Sequence, residues 1–314
     1  MTEETRARVL EAVHELNYRP NPVAQGLALQ STRTLALIIE RFDNIYPALI
    51  VGGAEAEARD QGYHVLVQQL SDLSVDELLR LSARTDGVIM SGATSNEELL
   101  QALAEQGTPT VLLGKLLPEI RADGVVADNY GGAYAAVEHL IEHGYQRIAH
   151  ITGPDNSRHA EARLRAYQDA LQAHDMPLRD EYIAKGAYSH ESGYEVMSGL
   201  LDLPEPPDAV FCADDLIALG AMMAAEAYGR QVPGELAIVG FDGLETGAYV
   251  SPPLTTVFQP MEQIGRVAVQ TLLWRIANPN EEPRETVLPT ELLLRRSCGC
   301  PASAHTAAIS GAAA

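Results

Sequence analysis

A chain of 314 residues with 46% hydrophobic residues and no apolar run near 18 residues has the length for two domains and offers no membrane-spanning helix. Its net charge of −21 argues against binding nucleic acid over its whole surface, and three cysteines are too few for a disulfide framework. Thr-Glu-Glu-Thr-Arg after Met1 is not a basic-then-apolar leader, so a cytoplasmic protein in a reducing compartment is expected.

Residues 1–34 hold Arg6, Arg8, Arg19 and Arg33 against Glu3, Glu4, Glu11 and Glu15, so this segment is neutral and the acidic excess lies beyond it. An acidic body repels DNA, which confines any DNA contact to the N-terminal segment. Thr2 is placed to cap a helix running to about Leu16, with Val9, Leu10, Val13 and Leu16 on one face. Arg19-Pro20-Asn21-Pro22 then forces extended backbone before each proline, after which Asn21 can cap and Pro22 open a second helix to about Leu29. That helix has about two turns and contains Gly26, so its nucleation cost requires a partner.

Asn17-Tyr18-Arg19-Pro20-Asn21-Pro22-Val23-Ala24-Gln25-Gly26-Leu27, followed within ten residues by an apolar strand, resembles the hinge of LacI-family transcription regulators. The resemblance implies a homodimer whose paired hinge helices contact operator DNA through Asn21, Val23, Ala24, Gln25 and Leu27. Leu27 matches the leucine that wedges between base pairs; such a wedge unstacks a base step and gains a bent duplex with more protein contact. The segment before the hinge resembles a helix-turn-helix headpiece that lacks its first two helices, including the recognition helix that a sequence-specific reader needs.

From Leu35 onward, apolar strands near 35–39, 63–68, 86–91, 110–114, 147–152, 209–213 and 236–241 alternate with amphipathic helices. Such alternation predicts an α/β body of parallel sheets with helices on both faces, and so many strands suit two lobes better than one sheet. Gly62, Gly107, Gly144 and Gly229 each follow a helical run, as C-terminal caps do. The family resemblance extends over Val125–Asn129, Glu138–Ile148, Phe211–Gly220 and Val239–Val257. It implies the periplasmic-binding-protein type I fold: two doubly wound parallel-sheet lobes joined by three crossovers, near Ala127-Asp128, Phe258-Gln259 and Arg284. The expected organisation is a partial headpiece and hinge at 1–34 and an effector-binding, dimerising body at 35–300. Its N-lobe would take 35–127 and 259–284, and its C-lobe 128–258 and 285–300. The stretch 301–314, PASAHTAAISGAAA, has no leucine heptads for a further bundle and reads as a disordered tail.

Signals for catalysis lead nowhere. His139-Leu140-Ile141-Glu142-His143 fits an inverted zinc-protease pattern, with both imidazoles one helical turn apart, but the sequence shows no third ligand. It reads as the solvated face of an amphipathic helix, and Cys298-Gly299-Cys300 alone is too short for a metal site, so no metal and no cofactor is expected. Nucleophile elbows, dinucleotide loops and Walker loops are missing, which argues against an enzyme. Asp214-Asp215 could pair as acids; Asp215 is the expected cap of the following helix.

Ligands of doubly wound sheets sit beyond the carboxyl ends of the strands. There the resemblance implies Arg163 as a fork to ligand hydroxyls or a carboxylate, Asp242 as an acceptor, Tyr46, Tyr188 and Phe211 as aromatic pocket positions, and Asp214 as a polar one. Gly114-Lys115 stands where the family often has Asp-Arg, and Lys115 with Arg163 would suit a sugar acid or sugar phosphate, whereas Asp242 and Asp214 oppose one. The expected function is a ligand-responsive transcriptional regulator sensing a sugar or related metabolite, against an alternative of a soluble sugar receptor without a DNA role.

Overall fold

The structure, a computed structural model, describes residues 2–15, 31–40, 45–71, 73–91, 97–114 and 120–300. The expected hinge helix with Asn21, Val23, Ala24, Gln25 and Leu27, the cleft candidate Lys115 and the tail 301–314 lie outside these residues. The first helix, α1 (Glu3–Glu15), begins as its sequence suggests, with the Thr5 amide donating to Thr2 Oγ1 at 3.4 Å.

The first lobe contains β1 (Thr34–Ile39), α2 (Ile45–Asp60), β2 (His64–Gln69), α3 (Val75–Ser82), β3 (Gly87–Ser91), α4 (Glu97–Glu105), β4 (Thr110–Leu113) and β5 (Asp123–Ala127). In the second are α5 (Asn129–Glu142), β6 (Ile148–Thr152), α6 (Arg158–Ala173), β7 (Ile183–Lys185), α7 (His190–Leu201), β8 (Ala209–Cys212), α8 (Asp215–Ala227), β9 (Ala237–Asp242), the short α9 (Thr246–Tyr249) and β10 (Thr255–Phe258). The chain then returns through α10 (Met261–Ala277) and β11 (Glu285–Leu288) to the first lobe and ends with β12 (Glu291–Leu293) in the second. Strand orders are β11-β5-β4-β3-β1-β2 and β12-β10-β9-β8-β6-β7, all neighbours parallel except β12 against β10.

Two of the three lobe crossings fall where the sequence placed them. The third does not: β11 pairs with β5 in register Glu285↔Gly124 through Leu288↔Ala127, so the passage lies at Pro289-Thr290 and not near Arg284. Residues 285–288 therefore belong to the first sheet rather than to the second lobe.

Both sheets are covered on both faces. On β1, Leu35, Leu37 and Ile39 enter the core beneath α2 and α10, while Ala36 and Ile38 enter the one beneath α3 and α4. On β8, Phe211 faces α5 and α6, and Val210 and Cys212 face α7 and α8. Period-two alternation thus delivers apolar side chains to both faces, each fully buried Leu or Ile contributing about 1.5–3 kcal/mol. The expected cap glycines Gly62, Gly107, Gly144 and Gly229 adopt φ of 73°, 66°, 86° and 67°, the left-handed turn that closes a helix.

Two buried or half-buried carboxylates fix the first lobe. Asp123, fully buried on β5, accepts from Arg275 Nε at 2.7 Å and Nη2 at 2.9 Å, and the Arg284 amide donates to it at 3.0 Å. That fork fastens the end of α10 to β5, the strand next to the sheet edge. Asp86, just before β3, accepts from Ser31 Oγ at 2.5 Å, the Thr32 amide at 2.6 Å, Thr32 Oγ1 at 2.7 Å and the Arg33 amide at 3.2 Å. Partial burial raises its carboxyl's ionisation, but these donors prevail and hold it below the usual range.

Candidate functional site

The carboxyl ends of the second lobe's strands converge on Arg163, which α6 carries inward and leaves 4% exposed. Its Nε and Nη2 donate to Asn129 Oδ1 at 2.9 and 2.7 Å, and its Nη1 donates to the Ala213 carbonyl beyond β8. The guanidinium carbon lies 3.7 Å from the centre of the Phe241 ring, and Nη2 stands 3.9 Å from Asp242 Oδ1. Asp242, the last residue of β9, is 5% exposed, has φ of 121° and accepts from Gln259 Nε2 at 2.6 Å. A non-glycine residue in that region is strained, and here the strain coincides with a buried charge at the mouth of the sheet.

Asn129 and Gln259 were not legible as site residues, yet they connect this pair to the lobe crossings. Asn129 follows the first crossing directly, and its Nδ2 donates to the Ala127 carbonyl at 3.0 Å and to His159 Nδ1 at 3.1 Å. Gln259 sits on the second crossing. His159 reaches back to the Leu113 backbone at the end of β4, and burial, followed by the Arg163 charge, pushes its imidazole down to about 4. It is therefore neutral, able to accept on Nδ1 and donate from Nε2. Arg163 and Asp242 thus each grip one crossing strand.

The acids around Arg163 differ in role from what the sequence suggested. Asp214, not Asp215, caps α8: its Oδ1 accepts from the Ile217 amide at 2.7 Å. Asp215 instead accepts from Thr256 Oγ1 at 2.5 Å and from the Leu244 amide at 2.7 Å, joining β10 to the loop after β9. Burial, and after it the Asp242 charge, pushes the Asp215 carboxyl up to about 8 and holds that of Asp214 well above the carboxylate range. Burial likewise pushes Asp242 up to about 6, with Arg163 and Gln259 pulling back.

Of the aromatic candidates, Tyr46 and Tyr188 lie near the Arg163–Asp242 pair, whereas Phe211 is packed into the core of the second lobe. Tyr188 Oη lies 3.1 Å from Ser157 Oγ, and Arg163, Asp214 and Asp242 all act on its ionisation. Tyr46, on α2 of the first lobe, lies within electrostatic reach of Asp242, Arg163 and Tyr188, and burial and then the Asp242 charge raise its ionisation. Phe211 is fully buried in the second lobe's core, stacked at 4.9 Å on His150 and edge-on at 6.5 Å to Phe241. It supports the ring beneath Arg163 and offers no surface to the cleft. Two surface depressions of 530 and 570 Å³, one beside Ser74 and Glu98 and one beside Gln168 and Met176, share no residue with this network.

A second cluster forms where the sequence offered only fragments. His139 and His143 at the end of α5 meet Cys298 and Cys300: His139 Nε2 lies 3.3 Å from Cys298 Sγ and 3.5 Å from Cys300 Sγ, and His143 Nε2 lies 3.4 Å from Cys300 Sγ. The solvated-face reading holds for exposed His143 but not for half-buried His139, and Cys-Gly-Cys does not stand alone.

Two lobes hinged on three crossings, with a buried polar cluster touching two of them, define an effector domain of the periplasmic-binding-protein type. Residues 137–298 match the family described as "Periplasmic binding protein-like domain". The chain is 33% identical over 303 residues, 95% of its length and 88% of the relative's, to the HTH-type transcriptional repressor CytR of Escherichia coli (strain K12). It also resembles a solved transcriptional regulator CelR-cellobiose complex, with a TM-score of 0.79, 34% identity and coverage of 95% and 91% of the two chains. A LacI family transcriptional regulator from Enterococcus faecium with bound ribose superposes with a TM-score of 0.75 at 27% identity, covering 84% of this chain and 98% of that one. This chain belongs to the LacI family of transcriptional regulators.

Proposed function

We propose that the protein is a cytoplasmic, dimeric repressor whose grip on operator DNA responds to a neutral sugar or related polyol held between the lobes. The observation that carries this reading is the Arg163–Asp242 pair, because each member binds both the candidate site and a crossing strand, through Asn129 and Gln259. A ligand that competes for these two charges acts directly on the joints that set the lobe angle. Asp242 already offsets the Arg163 charge and burial keeps the Asp214 and Asp215 carboxyls protonated, so this cluster carries no surplus positive charge to draw an anionic ligand and suits hydroxyl groups instead. The cellobiose and ribose in the two similar structures support a carbohydrate, and the repressor relative favours a DNA role over a free-standing receptor. Tyr46 and Tyr188 would cover the apolar face of a sugar ring.

The test is a thermal-shift screen of neutral sugars, sugar acids and sugar phosphates, followed by calorimetry on the best ligand. A neutral sugar as the strongest stabiliser, bound at least tenfold more weakly by Tyr188→Ala, supports the reading. A sugar phosphate or sugar acid as the strongest ligand overturns the neutral assignment, and no ligand in any class removes the carbohydrate reading.

A further inference from the structure

Outside the cleft, the described residues bring His139, His143 and Cys300 at the end of α5 to within 4.8 Å of one another at their donor atoms, and Cys298 Sγ adjoins this group 3.3 Å from His139 Nε2. These four donor atoms come from two short stretches more than 150 residues apart: His139 and His143 from one helical turn, Cys298 and Cys300 from the chain just past β12. A zinc ion with nitrogen ligands at about 2.0–2.1 Å and sulfur ligands at about 2.3 Å places neighbouring donors of a tetrahedron about 3.6 Å apart. Three of the four nitrogen-to-sulfur separations are 3.3, 3.4 and 3.5 Å, so an ion held by His139, His143 and Cys300 enters with a few tenths of an ångström of expansion and draws Cys298 in from the His139 side.

The surroundings also match those of a ligand set. His143 Nδ1 lies 2.9 Å from the His139 carbonyl; donation there puts the proton on Nδ1 and leaves the Nε2 lone pair directed at the cluster. Thr255 Oγ1 donates to Cys298 Sγ at 3.1 Å, as hydroxyls do to metal-bound sulfur, and Tyr145 Oη donates to the Cys298 carbonyl at 3.1 Å. Gly299, at φ of 93°, turns the chain so that both sulfurs face α5; a Cβ there would lie 2.8 Å from Tyr145 Oη. Cys298 is fully buried and Cys300 is 9% exposed, whereas His143 is exposed and leaves a way in for an ion.

We propose that His139, His143, Cys298 and Cys300 bind one zinc-class divalent transition ion in tetrahedral geometry, fastening the end of the body to α5. Each thiol gives its proton to solvent as its sulfur–metal bond forms, so loading releases up to two protons per ion. Mixed sulfur and imidazole donors exclude magnesium and calcium, which take oxygen ligands.

The experiment uses the full chain without an affinity tag, stripped with a chelator under reducing conditions and titrated with zinc or cobalt(II). Expected are one equivalent per chain, a thiolate-to-cobalt charge-transfer band with the intense visible bands of four-coordinate cobalt, and a higher melting temperature with zinc. His143→Gln changes an exposed position, so it keeps the fold and weakens zinc binding by at least about tenfold. Cys300→Ser removes charge-transfer intensity, with circular dichroism confirming that it is folded. The proposal is overturned by sub-stoichiometric uptake, by a cobalt spectrum without thiolate bands, or by binding that survives both substitutions unchanged. A Cys298–Cys300 disulfide that persists in the metal-loaded protein overturns it as well.

Discussion

Replacing Arg163 with Met keeps most of the volume above Phe241 and removes the charge, which isolates what the guanidinium does. It deletes the two bonds to Asn129 Oδ1, the bond to the Ala213 carbonyl and the cation facing Asp242 at 3.9 Å. Leaving a buried carboxylate without its partner costs about 3–5 kcal/mol of folding free energy. With about 2–4 °C per kcal/mol for a body of this size, the melting temperature should fall by roughly 6–20 °C at pH 8. Asp242 makes the loss depend on pH. Its carboxyl is already pushed up to about 6, above its unfolded value, so the folded state holds the proton more tightly and stability falls as pH rises through that window. Without Arg163 the carboxyl titrates higher still, so the gap between parent and variant should be small near pH 5 and widen above pH 6. Urea denaturation of both proteins from pH 5 to 8, with Arg163→Met/Asp242→Asn to close the double-mutant cycle, measures this directly. A gap that stays constant across the range, or a double variant no more stable than Arg163→Met at pH 8, would refute the reasoning. Burial of the pair also means that loss of ligand affinity in Arg163 variants has to be separated from loss of fold.

Asp123→Asn should lower stability by about 3–5 kcal/mol in urea denaturation, because the buried Arg275 charge loses its carboxylate partner and keeps only neutral carbonyl acceptors. Asp86→Ala should raise amide exchange at Thr32 and Arg33 at least tenfold with little change in the global transition; unchanged protection there would reject the carboxylate as their anchor. Because Asp86 ionises below its unfolded value, its contribution should be present above about pH 4 and lost on acidification below that, which a pH series of the same exchange experiment reads. Gln259→Leu should push the Asp242 carboxyl further up, seen by NMR titration as a midpoint above that of the parent.

Much of this architecture is written locally. Runs such as Leu35–Ile39 and Ala237–Phe241 are buried on both faces, so they read as continuous apolar strands, and cap glycines mark helix ends without any tertiary information. The third crossing was misplaced because β11 carries Glu-Thr-Val-Leu at an exposed sheet edge, where no apolar run announces a strand. Two adjacent acids cannot reveal which one caps a helix; the end of β8 decides it, leaving Asp214 at the cap and Asp215 turned toward Thr256. Asn129 and Gln259 are ordinary polar residues in sequence and become site residues only because Arg163 and Asp242 lie 34 and 17 positions away. The histidines and cysteines were visible as separate fragments, and only the return of the chain past β12 brings them into contact.

The Asp86 anchor bears on how far a signal from the cleft can travel. Three consecutive residues, Ser31 to Arg33, are bonded to one side chain seated at the foot of β3, and the next residue is already in β1. The polypeptide entering the body is thus mounted on the sheet like an axle in its bearing. Any swivel of the first lobe therefore carries Ser31 to Arg33 with it, where a slack tether would have left them behind. Were two such subunits to pair, a small change of pitch in each would shift the two points at which the chains enter their bodies relative to one another.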